Sequence, residues 1–269
     1  MKKLKSLFSR FYLVLVLAFF YLPILYVIVF SFNDSKSLSK FTGFSLQWYE
    51  KMFANRTIME SIYYTVVIAV IATVVSTIVG TIAAIGLSKS KRIVKELTLQ
   101  INNLPMMNPE IVTAIGLMLL FTSLNIKTGF MTLLLAHIAF CIPYVMLSIM
   151  PKLRQMDISV FEAAQDLGCS PSQAFFKVVI PEIMPGIVAG FLMSFTYSLD
   201  DFIISYFVTG PTSQTLPITI YSMTRRKVSP EINALSTIIF VVVLTVLLLV
   251  NVGDARRERE LRMKARDRV

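Results

Sequence analysis

From Ile62 to Leu87 the sequence runs for 26 residues without a charged side chain. About 20 apolar residues in a helix cover the hydrocarbon of a bilayer, so this run alone is long enough to span one. Phe11–Phe32 adds 22 uncharged residues, and Leu104–Leu124, Phe130–Met150, Ile183–Val208 and Ala234–Val250 are similar blocks with few interruptions. Only 16% of the 269 residues are charged, where a soluble domain carries roughly a quarter. A soluble core of this size cannot hide so many apolar blocks, so lipid is the expected solvent. The sequence predicts an all-α membrane protein: six transmembrane helices in a single domain over residues 1–269.

Six crossings put both termini on one side. Of the 26 Lys and Arg residues, 18 fall in segments 1–10, 88–103, 151–182 and 251–269, and 8 fall on the other side. This bias places both termini in the cytoplasm and makes the chain a multi-pass protein of the plasma (inner) membrane. Arg225-Arg226-Lys227 run against it. The formal charge of +10 is then a topological signal and does not point to nucleic acid. The first span exceeds the roughly 7–15 residues of a signal-peptide core, and no small-x-small site follows Phe32, so it is expected to stay as a helix. Outside, residues 33–60 carry Phe41, Phe44, Trp48 and Tyr49, which suit the membrane interface. Residues 209–232, with Gly210-Pro211 and Pro217, read as a folded loop.

The cytoplasmic connection, about 151–182, is longer than a simple loop requires. Its pattern predicts two short helices at an angle. The first runs over about Pro151–Leu167 and ends at Gly168, a residue suited to the left-handed C-terminal turn. The second starts with Ser170 as N-cap, Pro171 at the first helical position and Gln173 closing a capping box. Pro181 is expected to stop it. Ala163 and Ala164 leave room for another surface, Glu162 puts a charge beside them, and Phe175, Val178 and Val179 form an apolar stripe. These features fit docking onto a partner and also fit a hairpin that merely caps the bundle.

Glu162-Ala163-Ala164, Gly168 and Val178-Val179-Ile180-Pro181 resemble the EAA loop of ABC importer permeases. That pattern is E-A-A, a glycine after three positions, and I-x-L-P after nine more; here Val replaces the Ile and Ile the Leu. The resemblance implies the type I ABC importer permease fold, a non-catalytic transport subunit, and a coupling role for Glu162, Ala163, Ala164, Gly168 and Pro181. It also implies partners: a cytoplasmic ATP-binding subunit dimer, a second homologous permease and an extracytoplasmic substrate-binding protein, within membrane lipid. Asn108-Pro109-Glu110-Ile111-Val112, Ser198-Leu199-Asp200-Asp201-Phe202, Phe207-Val208-Thr209-Gly210-Pro211, Leu216-Pro217, Ile220-Tyr221-Ser222-Met223 and Ser229-Pro230-Glu231-Ile232-Asn233-Ala234-Leu235 are similar to the second permease subunit of spermidine/putrescine importers. This implies polyamine import by alternating access. Another small solute, or an ATPase-independent channel or ion-coupled carrier, is the competing reading.

The acidic pair Asp200 and Asp201 follows 17 largely apolar residues, Ile183–Leu199. A carboxylate at membrane depth costs about 2.5–3.5 kcal/mol on insertion scales, so two adjacent ones should face a wet cavity or a cation. A substrate path lined by Asp200, Asp201, Tyr197, Tyr206 and Tyr221 would attract a flexible polyammonium chain through charge and cation–π contact. Pairing with Arg225, Arg226 or Lys227, or capping of a broken helix, is the alternative. Asn108-Pro109-Glu110 reads as N-cap, N1 and N2 of the next helix, with Glu110 complementing its dipole. Cys141 reads as a small buried residue. The single histidine, His137, has no neighbour that would complete a metal site. No cofactor is expected. No Walker A, H-E-x-x-H or G-x-S-x-G stands out, so ATP hydrolysis falls to a partner and an enzyme is disfavoured.

Overall fold

The computed structural model describes residues 2–37, 39–226, 229–245 and 248. Among them the architecture is helical, with one isolated bridge, Asn33 to Phe44. The helices are α1 Lys2–Ser31, α2 Gln47–Ala54, α3 Arg56–Ser88, α4 Arg92–Met107, α5 Glu110–Ser123, α6 Phe130–Gln155, α7 Ile158–Asp166, α8 Pro171–Ala174, α9 Ile180–Asp200, α10 Ile203–Val208, α11 Leu216–Arg226 and α12 Pro230–Thr245. Four stretches are long and apolar enough to cross a membrane: Arg10–Ser31, Arg56–Ser88, Phe130–Gln155 and Pro171–Asp200. The pair α4 and α5 is long and apolar enough only when taken together, and is bent by 103° at the break, as a broken span or a re-entrant loop is. Of the expected sixth span, α12 is described to Thr245, and residues 246–247 and 249–250 lie outside the described residues.

The chain divides into two compact units, Thr57–Tyr221 and the combination of Met1–Arg56 with Ser222–Val269. In the first unit the core is built by α6 and α9. Gly186, Gly190, Ser194 and Ser198 recur every fourth residue and are all buried, which puts them on one face of α9. A Cβ on Gly186 would meet the Ser148 carbonyl at 2.9 Å, and one on Gly190 the Val145 backbone at 3.0 Å. Small residues thus let the two backbones approach where lipid offers no hydrophobic drive. The Ser194 hydroxyl donates to the Cys141 carbonyl at 3.4 Å, and Cys141 is fully buried. On α3, Gly80 packs against Val145 in the same way. An apolar cluster of Ala84, Leu87, Val145, Ile149 and Ile183 fills one end, and Ile68, Phe121, Leu133 and Val208 fill another.

In the second unit, α1 exposes apolar side chains along its length, from Phe11 to Val29, as a helix bathed in lipid does. The hairpin after it is organised by Asn33. Its amide donates to the Ser37 and Lys40 carbonyls at 2.9 and 2.8 Å, and its oxygen accepts the Thr42 N–H at 2.8 Å. Trp48 donates to the Asn33 carbonyl at 2.6 Å and is buried. Phe41 and Phe44 are exposed, whereas Trp48 is turned inward as the keystone of the hairpin.

Several boundaries differ from the sequence expectation. The helix through Pro151 belongs to α6, which continues to Gln155, and the first short cytoplasmic helix is only Ile158–Asp166. Pro151 is accommodated inside α6 at the price of one backbone donor, and Asp157 restarts the chain by accepting the Ser159 N–H at 2.9 Å. Pro181 does not end its helix. A five-residue π turn, Phe175–Val179, joins α8 to α9 and places Pro181 directly after it, inside a helix that continues to Asp200. The span Ile183–Val208 is broken after Asp200. The loop 209–232 contains α11, and segment 88–103 is largely α4.

Candidate functional site

Two places carry unusual chemistry. The first is the turn between α7 and α8. Gly168 has φ of +89°, a conformation that costs other L-residues roughly 1–2 kcal/mol. Its N–H donates to the Gln165 carbonyl at 2.8 Å, and the Cys169 N–H to the Ala164 carbonyl at 3.1 Å. These two bonds form a Schellman cap. Ser170 and Gln173 then exchange bonds at 3.1 and 3.3 Å as a capping box, with Pro171 at the start of α8. The Asp157 carboxyl at the start of α7 is held below the ordinary carboxylate range by the Ser159 N–H it accepts.

On this knuckle Glu162 and Ala163 are exposed and Ala164 is half-buried. The stripe expected from Phe175, Val178 and Val179 is turned inward: Val179 is buried and the other two are half-buried. The apolar groups that face outward are Leu167, 87% exposed, Phe176, 68% exposed, and Val160. These three were not evident from the sequence: Val160 on α7, Leu167 at its C-cap and Phe176 in the π turn belong to elements too short to bury more than one face.

The second place is a cavity of about 390 Å³ where two helix interruptions meet. Its walls come from the α4–α5 bend (Pro105, Met106, Glu110), from α6 (Phe140, Tyr144), and from the α9–α10 break (Tyr197, Asp200, Asp201, Phe202). Irregular backbone inside a membrane protein is tolerated where it lines such a cavity. Tyr144 and Tyr197 stack at 4.3 Å between ring centroids.

The acidic pair divides its work. Asp201 is nearly buried and caps α10: its carboxylate accepts the Ser205 N–H and hydroxyl, each at 2.7 Å, and the Ile204 N–H at 3.3 Å. His137, fully buried on α6, lies 3.5 Å from the same carboxylate. Its Nε2 is 3.0 Å from the Ser205 hydroxyl and its Nδ1 2.7 Å from the Ser198 hydroxyl. Since Ser205 gives its one hydroxyl proton to Asp201, its oxygen accepts from Nε2–H of His137, and Nδ1 shares a hydrogen bond with the Ser198 hydroxyl. A satisfied buried network of this kind holds the break rigidly. Asp200, by contrast, is exposed at the cavity and makes no hydrogen bond or ion pair among the described residues.

Glu110 also lines the cavity. Asn108 is not an N-cap: it ends α4, and Glu110 is the first residue of α5 with no side-chain cap. Of the expected tyrosines, Tyr197 lines the cavity, whereas Tyr206 and Tyr221 pack behind Phe202, at 5.6 and 4.8 Å. The histidine, Ser198, Ser205, Phe140 and Tyr144 were not anticipated. A lone imidazole in an apolar span is the signal that was available, since such groups are expensive in a membrane unless partnered. Among the described residues no cluster of His, Cys, Asp and Glu could hold a metal ion.

The family described as "Binding-protein-dependent transport system inner membrane component" matches residues 76–262. The spermidine/putrescine transport system permease protein PotC of Haemophilus influenzae is 39% identical over 246 residues, covering 90% of this chain and 96% of that protein. PotC of Escherichia coli K12 is 37% identical, covering 87% and 88%. The putrescine transport system permease protein PotI of the same strain is 38% identical, covering 84% and 83%. Among solved structures, a bacterial ABC transporter involved in import of the acidic polysaccharide alginate aligns with a TM-score of 0.71 over 94% of this chain and 96% of that one. The same system in complex with an alginate pentasaccharide-bound periplasmic protein gives 0.69, over 92% and 94%. Identities of 16% and 14% make these likenesses of fold.

Proposed function

The chain belongs to the inner-membrane components of binding-protein-dependent transport systems, and we propose that within such a system it imports polyamines. Membership makes it a permease subunit of an ATP-driven importer, with ATP hydrolysed by a separate partner and substrate delivered by a binding protein. One observation carries the choice of substrate. The cavity presents Asp200 and Glu110, which have no hydrogen-bond partner among the described residues, beside the stacked rings of Tyr144 and Tyr197. Separated carboxylates and aromatic faces suit a flexible chain bearing several ammonium groups. Relatives named for spermidine and putrescine support the same substrate.

In this reading the chain works as one transmembrane permease domain paired with a second, homologous permease, so that six helices make half of the path. Both termini are cytoplasmic. Glu162, Ala163, Ala164 and Gly168 form the knuckle that seats on an ATPase dimer, with Pro181 at the root of the spanning helix. Closure of the ATPase pair around ATP moves the knuckle and exchanges outward for inward access. Asp201, Tyr206 and Tyr221 shape the path by holding the α9–α10 break and the ring of Phe202, and Asp200, Glu110 and Tyr197 meet substrate.

The test is uptake of radiolabelled spermidine and putrescine by cells lacking this gene, with and without the restored chain. Restored uptake that requires the ATPase partner is expected. Full uptake in the absence of any ATPase, or restored uptake of an anionic solute with none of polyamine, would sink the reading.

A further inference from the structure

A cleft of about 410 Å³ opens between α4 and α6 at the end of α6 nearest the knuckle. Its lining changes character along its length. Along α6 the wall runs from the apolar Leu147 and Met150 to the polar Arg154 and Gln155, and Leu99 and Asn103 of α4 form the facing wall. Leu147, Met150 and Arg154 lie three and four residues apart, on one face of α6. From Met150 to Arg154 the helix rises about 6 Å, so the cleft passes from hydrocarbon-like to headgroup-like within one turn. The uncharged run of α6 ends at the same level, between Met150 and Lys152.

Arg154 is exposed and has no ion pair or hydrogen bond among the described residues. A guanidinium offers five donors in a fork that matches a phosphodiester. The neighbouring α4 buries none of its residues and leaves Ile93, Leu97, Ile101 and Leu104 exposed, so the cleft lies beside a helix whose apolar side chains remain free for acyl chains. We propose that this cleft binds an anionic phospholipid of the cytoplasmic leaflet, its phosphate on Arg154 and Gln155 and its first methylenes against Leu147 and Met150. Basic pockets between spanning helices on the cytoplasmic side bind anionic headgroups in this way. A soluble anion would leave the apolar half of the cleft unused. The leaflet assignment rests on the topology proposed above, with the knuckle in the cytoplasm.

The experiment uses the full chain, co-purified with the subunits it assembles with, in nanodiscs of phosphatidylcholine with or without phosphatidylglycerol. Retained phosphatidylglycerol is counted by native mass spectrometry after detergent extraction. Wild type is expected to retain it about fivefold better than Arg154→Gln, the effect of one basic residue at an anionic surface. Arg154→Lys should keep most of the retention. Leu147→Trp, which fills the apolar half without changing charge, should lose it, and free glycerol phosphate should not compete. Equal retention by wild type, Arg154→Gln and Leu147→Trp would overturn the proposal. So would full competition by glycerol phosphate, which marks a free phosphate site, or loss of a partner subunit with lipid retained, which marks a protein contact. Labelling of Gln155→Cys by an impermeant maleimide from outside would overturn the topology alone, leaving the retention result standing.

Discussion

Asp200 and Asp201 are neighbours in the chain, yet only one is free to meet a solute. Asp201 is committed to Ser205, Ile204 and His137, and its carboxylate completes a network with no spare donor. Asp201→Ala leaves buried donors unsatisfied, at about 1–3 kcal/mol, and is expected to lower the amount of folded permease seen on immunoblots of membranes. Asp200→Asn removes a charge that makes no hydrogen bond or ion pair among the described residues. It is expected to leave abundance unchanged and to raise the polyamine concentration for half-maximal uptake about fivefold, the scale of one exposed charge pair. Equal loss of abundance in both variants would contradict the division. The sequence identified the pair as polar cost in an apolar span, but could not divide it. Adjacent residues on a helix point about 100° apart, and which one turns inward depends on Ser198 and Ser205 coming together around His137 from positions roughly 60 residues away.

At the scale of elements, the seam of α6 and α9 depends on side chains that are nearly absent. Gly186→Leu would drive its side chain into the Ser148 carbonyl and Ile149. Overpacking of this kind costs about 1–3 kcal/mol, and a lower thermal midpoint of the purified permease is the expected result; Gly86→Leu, with open space around it, should shift it far less. The start of α7 has a pH signature. The Asp157 carboxyl is held below its ordinary range in the folded chain, so its contribution is present above the unfolded value, about 3.9, and is lost as pH falls through the folded one. Amide exchange at Ser159 and Val160 is therefore expected to be constant between about pH 5 and 8, after allowance for intrinsic rates, and to accelerate below about pH 4. Asp157→Ala should be fast throughout, and Asp157→Asn, which still caps, should be slow. Capping signals were legible because they are local: Ser170, Pro171, Gln173 and Gly168 each act within a few residues. Helix ends at Pro151 and Pro181 were misread because a proline's effect depends on the turn that receives it, and a π turn is not visible in residue periodicity.

For the whole molecule, the apolar blocks made the helical membrane class legible, since no other arrangement of that much uninterrupted apolar sequence satisfies its backbone. The EAA pattern made the permease class legible. The bend of 103° between α4 and α5 was not, because Pro105 and Pro109 mark an interruption without setting its angle. The outward Leu167 and Phe176 also emerged only from the fold. Glu162→Arg and Leu167→Glu are expected to leave the permease in the membrane while transport-dependent ATP hydrolysis falls about tenfold, the scale of a lost interface anchor. Unchanged hydrolysis with normal uptake in both would remove the knuckle from the docking surface.

The π turn has a mechanical corollary. Because α8 runs through it into α9 without a gap, the residues from Pro171 to Asp200 make one continuous helical stretch about 45 Å long at 1.5 Å per residue. Under the proposed coupling, a push delivered near Ser170 would reach the far tip through helix alone, with no loop between. On the proposed function, the carboxylate offered to a cation stands on the same lever as the surface offered to the motor.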